Sequence, residues 1–137
     1  MTDLIYTLTL VASALGYNHV QPSLFQAVVQ ACKDDETCAV DAVVYAAHES
    51  AFDGHPKAWS WDARRHLSCG FWQTPCATLP NTLLGQARLW VSLRAASLSR
   101  FGSLVGLAGD TPAGRQLTRA RAAEAEDCLF AARWSAF

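Results

Sequence analysis

Glu49 is the carboxylate next to the end of Cys38–Asp53, CAVDAVVYAAHESAFD, a stretch that otherwise reads as an apolar helix. Wound at about 100° per residue, Val40, Val43, Val44, Ala47 and Ala51 form one stripe, and Ala42, Tyr45, Ala46 and Glu49 lie opposite. A helix that is apolar all round is expected to be buried at the centre of its domain. Two features then favour the neutral form of Glu49. Burial penalises the charge, and Asp53-Gly54-His55-Pro56 ends the helix close by, turning its negative dipole end toward the group. A carboxylic acid kept neutral is a proton donor. The alternative is that Glu49 emerges at the helix end and meets an arginine such as Arg64 or Arg65.

The elements that must position this group follow from local signals. A first helix is expected over Asp3–Leu15, stopped by Gly16, and a second from Pro22 to about Cys32. Thr37 or Asp35 is expected to cap the central helix. Residues 54–80 are rich in turn formers, aromatics and cysteines with no helical period, which predicts a small hairpin or irregular lobe. Asn81 or Thr82 opens a long helix closed by Gly102, and Thr111-Pro112 opens a last helix to about Arg133. The expected class is α+β, mainly α: one domain over 1–137, built around a central buried helix with a small β-hairpin or irregular lobe.

The 137 residues suit one core, and 51% hydrophobic against 17% charged residues argue against disorder. A net charge of −1 with scattered basic residues leaves no footprint for nucleic acid. Residues 4–32 carry no Asp, Glu, Lys or Arg, but Gly16 to Pro22 cuts the run into pieces too short to span a bilayer. Asp3 stands where a secretory signal needs positive charge, so the segment is read as a helix, with no stable membrane insertion. Cys32 and Cys38 flank one short loop and Cys69 and Cys76 another, leaving Cys128. Two local bridges in an oxidising compartment and five reduced thiols are both open readings.

Trp59, Trp61, Phe71 and Trp72 place four large rings within fourteen positions of the irregular lobe. Such rings suit the apolar faces of sugars, although rings in a small domain commonly belong to the core. At this point two motifs stand in order. Glu49-Ser50-Ala51-Phe52 resembles the Glu-Ser-x-Phe signature of soluble lytic transglycosylases and goose-type lysozymes, and Gly70-Phe71-Trp72-Gln73 resembles their Gly-Leu-Met-Gln motif. Ala58–Asp62 is similar to the segment that precedes the second motif. The resemblance covers residues 38–90. The superfamily's Ala-Tyr-Asn type motif has no counterpart here, its nearest equivalent being Leu107-Ala108-Gly109-Asp110.

The resemblance implies a lysozyme-like fold and a peptidoglycan-cleaving enzyme acting between N-acetylmuramic acid and N-acetylglucosamine. Glu49 would be the catalytic acid, Ser50 would orient it or the substrate, and Gln73 would line the sugar cleft beside Trp59, Trp61, Gly70, Phe71 and Trp72. An inverting hydrolase needs a second carboxylate about 6.5–9.5 Å away to activate water. Asp62, thirteen residues after Glu49, is the expected one, similar in placement to an aspartate of goose-type lysozymes. Asp53, four residues along the same helix, is placed rather to cap or repel. Without such a carboxylate, Glu49 would act alone as in a lytic transglycosylase, leaving 1,6-anhydro ends. A non-catalytic glycan-binding relative is the reading from another class.

Two other chemistries are weaker. No nucleophile motif surrounds Cys69 or Cys76 to pair with His48, His55 or His66. His55, His66, Cys69 and Cys76 lack the paired spacings of zinc sites. The expectation is therefore no metal and no cofactor, a monomer acting on peptidoglycan glycan strands at the bacterial cell wall, by a route the sequence does not give.

Overall fold

The structure, a computed structural model, describes residues 2–53, 58–61 and 67–135. Asp62, Arg64, Arg65, His55 and His66 lie outside the described residues. The chain is α+β and mainly helical. Helices α1 (Thr2–Ala14), α2 (Pro22–Ala31) and α3 (Glu36–Ser50) precede a small antiparallel sheet, and α4 (Leu83–Phe101), α5 (Val105–Ala108) and α6 (Pro112–Ser135) follow it.

Helix α3 lies at the centre, touching α1, α2, α4 and α6. Cys38, Ala39, Val40 and the run Ala42–Ala47 are buried, as an all-round apolar helix requires. Leu8 and Val11 of α1, Leu24, Val28 and Val29 of α2, and Val43 and Val44 of α3 are the largest side chains fully withdrawn from solvent. The caps are built locally. Asp35, rather than Thr37, caps α3 by accepting from the Cys38 N–H at 2.8 Å. Thr82 caps α4 by accepting from the Gly85 N–H at 3.0 Å, and Thr111 accepts from the Gly114 N–H at 3.0 Å ahead of α6. Gly102 closes α4 in the left-handed region.

The sheet has the order β1-β2-β3, with β1 at Ala58–Trp61, β2 at Leu67–Cys69 and β3 at Thr74–Pro75. Ser60 faces Ser68 and Trp61 faces Leu67 in register, with a shift between Ala58 and Ser60. Gly70–Gln73 is the turn of the second hairpin, and Cys69, which pairs with Thr74 across it, is bridged to Cys76. A second bridge joins Cys32 to Cys38, and Cys128 is a buried free thiol on α6. Of the two readings left open for the cysteines, the structure takes the two local staples.

Helix α5 was not expected. Its four residues are too few for a hydrophobic period, and it forms where Gly106 packs against Ser97 of α4, whose hydroxyl accepts from the Gly106 N–H at 2.8 Å and donates to the Ser103 carbonyl at 2.7 Å. A Cβ on Gly106 would stand 2.7 Å from that Ser97 oxygen, so only glycine allows the approach without a shift. Among the described residues, no helix is long and apolar enough to cross a membrane.

Candidate functional site

Glu49 sits in the last turn of α3, where the backbone makes an unusual exit. Ala51 and Phe52 both take positive φ, at 51° and 61°, without a glycine. The Phe52 N–H reaches back to the Ala46 carbonyl and the Asp53 N–H to that of Ser50 at 2.9 Å, while the Phe52 ring stands edge-on to Tyr17 at 5.0 Å. Left-handed conformations cost non-glycine residues about 1–2 kcal/mol each, and such strain persists only where surrounding contacts hold it. Here the contacts bend the chain away immediately behind Glu49 and Ser50.

Ser50 is buried and turned inward. Its hydroxyl lies 2.8 Å from the Phe71 carbonyl and 3.1 Å from the Ala46 carbonyl, and its one proton goes to either acceptor. The helix end is thereby pinned to the turn between β2 and β3. One residue on, the Trp72 indole N–H donates to the Ala42 carbonyl at 2.8 Å, a second tie from the same turn to α3. The two motifs that carry the resemblance thus meet in space.

Between them opens a cleft of about 540 Å³ lined by Tyr45 and Glu49 of α3, by Ser68 and the run Trp72–Pro75 of the sheet, by Trp90 and Leu93 of α4, and by Gly106–Ala108 on the α5 side. Tyr45, Trp72 and Trp90 back it as a cluster of nearly buried rings, 3–5% exposed: Trp72 and Trp90 stack with centroids 6.3 Å apart, and Tyr45 lies 5.5 Å from Trp90. Gln73 takes φ 50° at the rim, and its amide N–H donates to the Gly70 carbonyl at 3.0 Å. The Gln73 Oε1 is buried with no hydrogen-bond partner among the described residues. A buried acceptor left unmet costs about 1–3 kcal/mol.

Several sequence expectations take a different form. Ser50, Gly70 and Phe71 do not line the cleft; they are buried behind its wall. Phe71 is a core ring, 4% exposed, because the turn that carries it must close over the end of α3. Trp59 and Trp61 stand on β1, whose backbone alone is described. Asp62 lies outside the described residues, so its expected separation from Glu49 has no counterpart here. The Leu107–Asp110 segment does reach the cleft, through Leu107 and Ala108.

The electrostatic setting of Glu49 differs most. Its side chain is 32% exposed, and its partner among the described residues comes from α6, the expected Arg64 and Arg65 lying outside them. Arg121 of α6, 12% exposed, donates from Nη1 to Glu49 Oε1 at 2.8 Å. The guanidinium carbon lies 4.7 Å from the centroid of the Tyr45 ring, so the cation is held between an aromatic face and a carboxylate. Burial pushes the Tyr45 phenol up against the opposing pull of Arg121, which keeps the phenol protonated at neutral pH. The Arg121 Nε is buried without an acceptor among the described residues. Beside this pair, His48 of α3 meets Glu124 of α6 on the exposed flank.

Sequence reading missed Arg121, Trp90 and Leu93. Tyr45 had a signal, since it lies four residues before Glu49 on the same helix side. Arg121 had none: it stands among alternating charges on α6, and only packing separates it from Arg119 beside it. On the far side of Tyr45, a groove of about 390 Å³ holds the pair Asp41–Arg94, joined at 3.0 Å, amid Val40, Leu98 and Leu129. None of the motif residues faces it.

Comparison with protein-family models, curated proteins and solved structures yields no match to this chain.

Proposed function

We propose that this chain is a peptidoglycan muramidase that cuts the β-1,4 bond between N-acetylmuramic acid and N-acetylglucosamine, with Glu49 as general acid. The observation that supports it is the joining of the two motifs at one cleft: the Ser50–Phe71 bond ties the helix end that carries Glu49 to the turn that carries Gln73. Glu49 is the one carboxylate that lines this cleft among the described residues. It donates its proton to the glycosidic oxygen, the bond from C1 to that oxygen breaks with its electron pair going to the leaving sugar, and water adds at C1. Asp62 is assigned the role of taking the proton from that water, the inverting arrangement of two carboxylates. Leu93 and Leu107, with Ser68 and Gln73 beside them, line the cleft and would meet the apolar face and the polar groups of a sugar.

Digestion of purified peptidoglycan with mass spectrometry of the products tests this. Wild type is expected to release fragments with reducing ends, and Glu49→Gln to lose turnover by about 10²–10⁴-fold while still binding glycan, because the nearly isosteric amide cannot give a proton. Asp62→Asn is expected to lower hydrolysis far more than affinity. Mainly 1,6-anhydro ends would assign a lytic transglycosylase instead, and binding without any release a glycan-binding relative. Retention of half the wild-type rate by Glu49→Gln would remove Glu49 from the mechanism.

A further inference from the structure

Arg121 is buried at a cost that its packing does not explain. Its side chain is 12% exposed, its Nε–H has no acceptor among the described residues, and it meets the face of Tyr45 and one oxygen of Glu49. A desolvated donor without a partner is unfavourable, and a salt bridge with its carboxylate one-third in solvent returns little. An apolar residue would fill the space between Tyr45 and the cleft at lower cost. What an apolar residue would not do is fix one oxygen of Glu49 and oppose the negative charge left when its proton departs.

We propose that Arg121 is the positioning residue of this site: it grips Glu49 by Oε1 against Tyr45, leaves Oε2 as the proton-giving oxygen, and stabilises the carboxylate that remains once the proton has moved to the glycosidic oxygen. The role rests on the muramidase reading above. In the forward step the Oε2–H bond breaks, the proton joins the glycosidic oxygen, and the bond from C1 to that oxygen releases its electron pair to the leaving sugar. Glu49 is then an anion facing a cation at 2.8 Å. The fork of the guanidinium serves because it is planar, so it stacks on the phenol and presents Nη1 in one geometry, which a lysine ammonium does not.

The titratable and charged groups near Glu49 in the described elements are few. Tyr45 and His48 belong to its own helix and Asp53 follows beyond the helix end; α6 supplies Arg121 and Glu124, and Glu124 is taken up by His48. The other described residues that line the cleft carry no charge. Removal of Arg121 therefore takes away the cation that grips Glu49.

The experiment measures kcat and KM on soluble glycan-strand fragments for wild type, Glu49→Gln, Arg121→Gln and Arg121→Lys, with thermal melts of each. Arg121→Gln is expected to lower kcat about tenfold or more with little change in KM. Arg121→Lys recovers only part of the wild-type kcat, because its ammonium lacks the planar fork. A wild-type kcat in folded Arg121→Gln overturns the role, and so does a wild-type kcat in Arg121→Lys. Should Arg121→Gln fail to fold, the kcat of Arg121→Lys decides alone. Active wild type, inactive Glu49→Gln and unaltered kinetics in Arg121→Gln would sink this inference and leave the muramidase reading standing; wild type that releases no sugar overturns both.

Discussion

Ser50 shows how one hydroxyl can set a site without touching what the site binds. Its proton is shared between a carbonyl of its own helix and the Phe71 carbonyl of the facing turn, both enclosed. Alanine in its place would leave the Phe71 oxygen unmet, and a buried acceptor without a donor costs about 1–3 kcal/mol. Ser50→Ala is thus expected to lower the unfolding free energy by about that much in urea titrations, and to lower glycan turnover further as the turn carrying Gln73 loosens from Glu49. An unchanged midpoint in urea would mean that the hydroxyl does not pin the turn. The backbone tells the same story at Gly70, where φ is 80° and a Cβ would stand 2.7 Å from the Gln86 Oε1 and 2.8 Å from the Leu79 Cδ1. The turn needs a residue with no side chain there.

Among the elements, the sheet is the least able to stand alone. Its strands of four, three and two residues bury little, and isolated hairpins of that size are marginal in water. It is held by three ties: the Ser50 bond, the Trp72 bond to Ala42, and the Cys69–Cys76 bridge. Closing a loop of sequence separation 7 restricts the unfolded chain by about 2–3 kcal/mol in the loop-entropy account. The paired change Cys69→Ala with Cys76→Ala leaves the Cys32–Cys38 bridge intact and is expected to lower stability by up to that amount. Amide exchange should rise across Ser68–Pro75 while α3 stays protected. Equal exchange in both proteins would show that the hydrogen bonds alone suffice.

Over the whole molecule, the charges of α3 act as long-range ties. Glu36 pairs with Arg133, Asp41 with Arg94, His48 with Glu124 and Glu49 with Arg121, so an otherwise apolar helix is indexed against α4 and α6. The exposed pairs add little stability. Asp41 is different: burial pushes its carboxyl up, and Arg94 pulls it back only in part. A carboxyl whose folded value lies above the unfolded one binds its proton more tightly in the native state. Its contribution to stability is therefore present in full below the unfolded value of about 3.8, and is lost as pH rises through the folded one. Asp41→Asn is expected to remove that slope from the acid side of the stability curve, measured by denaturant titration from about pH 4 to neutrality. The same slope in both proteins would place the linkage in another group.

The sequence by itself determined every helix but α5, and which helix is buried. Apolar residues on every side of Cys38–Asp53 leave no face for solvent, and the hydroxyl and carboxylate caps, Pro22, Pro112 and Gly102 act within a few residues of their own position, where local geometry decides. It also brought out Glu49, because a carboxylate near the end of such a helix is conspicuous, and the order of the two motifs, because order is a property of the chain. Tertiary structure alone decided that Arg121 meets Glu49, since it arrives from 72 residues away, carried by the packing of α6 on α3. It also decided that Phe71 and Ser50 turn inward and that Tyr45, Trp72 and Trp90, nearly buried, back the cleft. An aromatic ring or a hydroxyl is compatible with core and cleft alike, and the choice between them is made by the space that the neighbouring elements leave.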